Sequence, residues 1–143
     1  MSVKVTVEAA VEPTEDQAKV ERALLKLFPN ARIEKAERSD GFGSLKIHGN
    51  GFEFLSTLRS LIKQERIRSA ARAILLRKLR EPPLQIFLNK QAAFMGHVSF
   101  CAPIGESAHG PIMIQIDSEN DQAVVDYLAT PPPNTEPREG RRR

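Results

Sequence analysis

Val3, Val5, Val7, Ala9 and Val11 occupy every second position at the start of the chain, with Lys4, Thr6 and Glu8 between them. A period of two puts one face on a core and the other in water, so the pattern predicts a half-buried strand that Pro13 ends. Thr14-Glu15-Asp16-Gln17 has the form of a capping box, with Thr14 expected to accept from the Gln17 amide. Val20, Ala23, Leu24 and Leu27 recur at helical spacing and stop before Pro29-Asn30, which predicts an amphipathic helix. Residues 31–38 and the alternating Leu45-Lys46-Ile47-His48 flank the turn Ser39-Asp40-Gly41-Phe42-Gly43, and a hairpin is expected there.

Helix formers dominate from Phe52 to Arg80. Leu55, Leu58 and Ile62 make one apolar stripe, and Ile67, Ala70, Ala71 and Ile74 make another. The stretch predicts either one long helix or two joined near Gln64, where neither Gly nor Pro marks a break. Pro82-Pro83 ends it. Three strand-like pieces follow: Ile86-Phe87-Leu88, the alternating Val98, Phe100 and Ala102, and the alternating Ile112, Ile114 and Ile116. Ser118 precedes a short helix carrying Ala123, Val124, Tyr127 and Leu128, and Thr130-Pro131-Pro132-Pro133 closes the pattern. The order β-α-β-β-α-β-β-β-α predicts an α+β fold, an antiparallel or mixed sheet with helices packed on one face. Residues 1–130 are expected to form a single domain, and 131–143 a disordered Pro/Arg-rich tail.

At 143 residues the chain is long enough for one domain with a real core. No apolar run approaches the ~20 residues needed to cross a bilayer. The opening Met1-Ser2-Val3-Lys4 leads directly into strand pattern without a signal peptide, and the single Cys101 excludes an internal disulfide. A cytoplasmic protein is expected. The net charge of +3 is unevenly spread. Residues 22–90 hold fifteen Lys/Arg against six acids, a net +9, whereas residues 91–130 hold five acids and no Lys or Arg. Such asymmetry suits an anionic partner, or two regions that neutralise each other on folding.

Catalytic and metal chemistry find little support. His48, His97 and His109 lie in separate segments, and His97 and Cys101 would stand about 13 Å apart on a strand, too far to share an ion. Asp117, Glu119 and Asp121 imitate the opening of a calcium loop, but Gln122 stands where Gly is required and Leu128 where Glu is required. No enzyme activity, cofactor or metal is expected.

From Lys63 to Arg80 there are seven cations against the single acid Glu65. Helical spacing places Arg66, Arg77 and Arg80 on one flank and Arg68 with Arg72 on another. Guanidinium groups on a rigid helix suit phosphate oxygens, since each presents a planar fork of donors. The same face also fits a solvated helix whose long stems cover apolar surface. Asn89-Lys90-Gln91 is a second polar cluster, expected in a connection between strands. Three adjacent polar groups suit ribose, phosphate or base-edge contacts, or the backbone groups of a turn.

Arg66-Ile67-Arg68-Ser69-Ala70-Ala71-Arg72 and Phe87-Leu88-Asn89-Lys90-Gln91-Ala92-Ala93-Phe94-Met95-Gly96 resemble the two signature stretches of a small archaeal family. Its members are labelled predicted RNA-binding proteins or predicted exosome subunits. The resemblance extends through Val11-Glu12-Pro13-Thr14-Glu15-Asp16, Leu27-Phe28-Pro29 and Gly110-Pro111-Ile112, and so covers nearly all of residues 3–131. His97 stands where the family more often has Lys, and Ser99 where it has Asn. The resemblance implies a fold similar to the large-subunit ribosomal protein that contacts 5S RNA, and no enzymatic activity. The expected function is a non-catalytic RNA-binding or RNA-processing accessory protein. Arg66, Arg68, Arg72, Arg77 and Arg80 would meet phosphates, and Asn89, Lys90 and Gln91 would add specificity. The alternative is a protein–protein module, with or without homodimerisation, that uses its acidic 91–130 region or a sheet edge and has no RNA role. Across the two readings the expected partners are RNA, a second copy and an RNA-processing complex. Neither reading involves a membrane.

Overall fold

The structure, a computed structural model, describes residues 2–37, 43–101 and 110–131. The alternating valines form β1 (Val3–Val11), and Val3, Val5, Val7, Ala9 and Val11 are all buried. This strand lies at the middle of a five-stranded sheet, pairing antiparallel with β3 (Gly43–Asn50) on one side and β5 (Pro111–Ser118) on the other. Outside β3 lies β2 (Ile33–Glu37), and outside β5 lies β4 (Leu84–Asn89), again antiparallel. Register aligns Val7 with Ile47 and Ile114, and Val5 with Ile116, so the apolar positions of neighbouring strands share one face. Leu45, Leu84, Ile86, Leu88 and Ile112 complete that face, and the helices cover it. The architecture is the expected α+β arrangement.

The first helix, α1 (Gln17–Leu27), buries Val20, Ala23, Leu24 and Leu27 as its spacing predicts. Its cap differs from expectation. Asp16, not Thr14, is the N-cap, its Oδ1 accepting from the Ala18 amide at 2.9 Å. Residues 12–15 close a turn first: the Glu15 amide donates to the Glu12 carbonyl, and the Glu12 amide donates back to the Glu15 carboxylate. The helix therefore begins after that turn, beyond the reach of Thr14.

Residues 52–80 divide into a 3-10 turn (Phe52–Leu55), α2 (Ser56–Gln64) and α3 (Arg68–Lys78). The break falls just after Gln64 and is a Schellman-type stop. The Ile67 amide donates to the Ile62 carbonyl and the Arg66 amide to the Lys63 carbonyl. Arg66 takes the left-handed conformation, φ 58°, at the position where Gly is usual. That explains why no Gly or Pro announced the break.

Two differences follow β4. Residues Lys90–Phe94 form a short helix, α4, in what was expected to be a plain connection. The expected strand at 98–102 is, in its described part, a single bridge between Phe100 and Leu88. The Asn89 amide donates to the Ser99 carbonyl and the Cys101 amide to the Phe87 carbonyl, so the segment pairs with the edge of β4 only there. The last helix, α5 (Asp121–Leu128), is capped by Asn120 and buries Val124, Val125 and Leu128. The Ser39–Gly43 turn, apart from Gly43 itself, and the tail beyond Pro131 lie outside the described residues.

Candidate nucleic-acid interface

Helices α2 and α3 both pack on α5, and their cations gather at its C-terminal end. Arg59 and Lys63 stand four apart on α2, and Arg68 and Arg72 four apart on α3, so each pair shares a helix face. Arg68, Ser69, Arg72, Ala73, Leu76 and Thr130 line a groove of about 330 Å³. It meets a smaller hollow formed by Arg59, Lys63, Arg68, Leu128 and Thr130, the two sharing Arg68 and Thr130.

Two of these cations are held in place. Arg59 donates from Nε to the Tyr127 carbonyl at 2.9 Å, and its guanidinium lies 5.2 Å from the Tyr127 ring centroid. Arg72 donates to the Asp126 carboxylate at 2.7 Å and to the Ala129 carbonyl at 3.0 Å. These carbonyls belong to the end of α5, where the macrodipole favours cations. Arg72, and next to it the Gln122 amide, hold the Asp126 carboxyl below the usual carboxylate range. Lys63 and Arg68 are exposed and bond no acid among the described residues. The groove thus has two oriented guanidiniums and two freely charged neighbours.

The other expected arginines do not join it. Arg77 is about 140° around α3 from Arg72, and Arg80 follows the helix end; both are exposed and neither lines the groove. Arg66 is exposed at the joint between α2 and α3. Arg59 was missed by reading the basic segment from Lys63 onward. Its spacing of four from Lys63 was the available signal.

The Asn89-Lys90-Gln91 cluster is taken apart by the structure. Asn89 caps α4, accepting from the Ala92 amide at 2.9 Å. Lys90 is buried, and its ammonium donates to the Ala10 carbonyl at 2.6 Å and to both Glu15 oxygens at 3.0 and 3.2 Å. Those two residues serve the fold, and Gln91 alone faces outward.

The acidic 91–130 region neutralises the basic one at a single described point, Arg72 with Asp126. Its other described acids have neutral partners: Asp117 accepts from Gln115, Glu119 from the Ser2 amide, and Asp121 from Ser118. Among the described residues no group of three His, Cys, Asp or Glu side chains is placed to hold a metal ion. No described helix is long and apolar enough to cross a membrane.

A family model described as RNA binding matches residues 4–123. A UPF0201 protein of Pyrobaculum neutrophilum is 40% identical over 126 residues, covering 86% of this chain and 87% of its own length. The UPF0201 protein of Methanocaldococcus jannaschii is 31% identical over 133 residues, covering 93% and 74%. The 2.2 Å crystal structure of a UPF0201 protein from Methanococcus jannaschii superposes with a TM-score of 0.78, at 31% identity and over 88% of this chain and 98% of that one. The chain belongs to the archaeal UPF0201 family, and a solved member of that family shares its α+β fold.

Proposed function

We propose that the protein binds RNA without catalysing a reaction, as an accessory factor in cytoplasmic RNA processing. The observation that carries the reading is the groove around Thr130, where Arg59, Lys63, Arg68 and Arg72 converge from two helices. Arg59 and Arg72 are held by the backbone of α5, so a phosphate meets donors already oriented, and less side-chain entropy is lost on binding. Lys63 and Arg68 supply charge with no ion-pair partner among the described residues. The family model's description as RNA binding supports the same conclusion.

Phosphate contacts position a strand and carry no sequence information, so the groove by itself grips RNA irrespective of sequence. Fluorescence anisotropy with single-stranded RNA tests the reading. Lys63→Gln with Arg68→Gln should weaken binding roughly tenfold to thirtyfold near 0.1 M salt, for all sequences alike. Arg77→Gln with Arg80→Gln, outside the groove, should leave affinity within about twofold. Equal losses from both pairs would assign the binding to diffuse charge and remove the groove from the account.

A further inference from the structure

A second concavity lies between α1 and α4, which pack directly on each other. It has a volume of about 450 Å³, within the range of small-ligand sites. Its floor is apolar, from Val20 and Ala23, and its wall carries Phe94 and Met95. Phe94 is half-buried, and the Lys19 ammonium lies 5.8 Å from its ring centroid. Met95 is 66% exposed, far above the other exposed large apolar side chains among the described residues, Leu25 at 37% and Leu76 at 36%. At the rim stand Thr14, Asp16, Lys19 and Gln91. The Gln91 carboxamide and the Thr14 hydroxyl have no described partner within the chain. Behind the rim the buried Lys90–Glu15 pair ties α4 to the turn before α1, fixing both walls.

We propose that this cleft receives a single unstacked nucleobase of the RNA held in the basic groove. The inference rests on the RNA-binding reading and supplies what the groove lacks, contact with a base. Sequence-dependent recognition of single-stranded RNA uses unstacked bases placed on an aromatic face and hydrogen-bonded along an edge. Phe94 offers the face, Met95 an apolar side contact, and the Gln91 carboxamide a paired donor and acceptor of the kind that complements a base edge. Lys19 lies over the ring, and a base taking that face would move its ammonium aside to an adjoining phosphate. The cleft has no surplus positive charge, since Asp16 offsets Lys19 and Glu15 offsets Lys90, so a neutral, planar group fits it better than a phosphate. Glu65 accepts from the Val98 amide, with one oxygen 3.4 Å from His97 Nδ1, so the segment after Met95 abuts the residue before Arg66.

The test compares two probes on the full-length protein: an eight-nucleotide RNA, and an abasic ribose-phosphate chain of the same length. Gln91→Ala changes an exposed residue, and Phe94→Leu keeps apolar bulk while removing the aromatic face. Each should weaken the RNA about tenfold, leave the abasic chain unchanged, and leave the salt dependence of RNA binding unchanged. Equal affinity of wild type and both variants for the RNA would overturn the proposal, as would parallel losses on both probes. Unchanged RNA binding with a shift in sedimentation for Phe94→Leu would assign the cleft to a protein contact and also overturn it. Loss in Lys63→Gln/Arg68→Gln alone would keep the groove and reject the cleft. No RNA binding by the wild type would remove both.

Discussion

Lys90 is a buried cation, and removing it should be among the most damaging single changes in the chain. Its side chain is 6% exposed and that of Glu15 10%. Among the described residues, Ala10 O and both Glu15 oxygens accept from the ammonium. Lys90→Met keeps the length and apolar stem but leaves the mostly buried Glu15 carboxylate without this cation and the Ala10 carbonyl without this donor. Breaking a buried pair from one side costs about 3–5 kcal/mol, because an uncompensated charge remains. Glu15 keeps its bond from the Glu12 amide, which favours the lower end. About 3 kcal/mol in a domain of this size corresponds to a fall in Tm of roughly 10 °C. Glu15→Gln should cost a comparable amount. The double variant should lose little more than either single, since no charge is left buried, giving a coupling of at least about 2 kcal/mol. Urea unfolding followed by circular dichroism on the four proteins closes the cycle. If Lys90→Met lies within about 0.5 kcal/mol of wild type, or the two losses simply add, the ammonium is solvated and the argument for a fixed α1–α4 cleft fails.

Three further outcomes follow from the same geometry. Asp16→Ala should cost about 1 kcal/mol in chemical denaturation and Thr14→Ala less than about 0.5, and the reverse order would restore Thr14 as the cap. Arg66→Gly should raise stability by up to about 1 kcal/mol, because Gly enters the left-handed region without the Cβ clash; a loss of about 1 kcal/mol, as for Gly inside a helix, would contradict the Schellman-type stop. Asp126 has its folded carboxyl held low chiefly by Arg72, so its contribution to stability is present above the ordinary carboxylate range and lost as pH falls through the lowered value. The pair is half-exposed, so Asp126→Asn should remove at most about 1 kcal/mol at neutral pH and flatten the acid limb of the stability profile; an unchanged acid limb would refute it.

The elements that were legible in the sequence are those whose pattern is local. Strict alternation in 3–11 and 111–118, and helical spacing in 17–27, report directly which face is buried. The sequence left open one long helix or two joined near Gln64, because the cause of the break, Arg66 in a conformation that Gly usually takes, leaves no trace in composition. The remainder depended on partners distant in sequence. Lys90 reads as one of three adjacent polar residues, and its burial is made tolerable by partners far away in sequence, Glu15 at 75 positions and the Ala10 carbonyl at 80. Val98, Phe100 and Ala102 alternate like a strand, yet α4 delivers the chain to the edge of β4 where a single described bridge forms. The five predicted arginines were chosen by charge. The groove selects Arg68 and Arg72 from them and adds Arg59 and Lys63, because the end of α5 lies there.

RNA affinity measured across salt concentration tests the central claim most directly. It should be run on the full-length chain and on a variant with Arg138, Arg141, Arg142 and Arg143 replaced by Ser, so that the tail's charge is separated from the groove's. If Arg59, Lys63, Arg68 and Arg72 each engage one phosphate, log affinity for single-stranded RNA falls linearly with log salt, with a slope near about −2.8. Lys63→Gln with Arg68→Gln should bring it to about −1.4 in both backgrounds. A slope that the groove substitutions leave unchanged, or binding that disappears with the tail arginines alone, would contradict the assignment of RNA to the α2–α3 face.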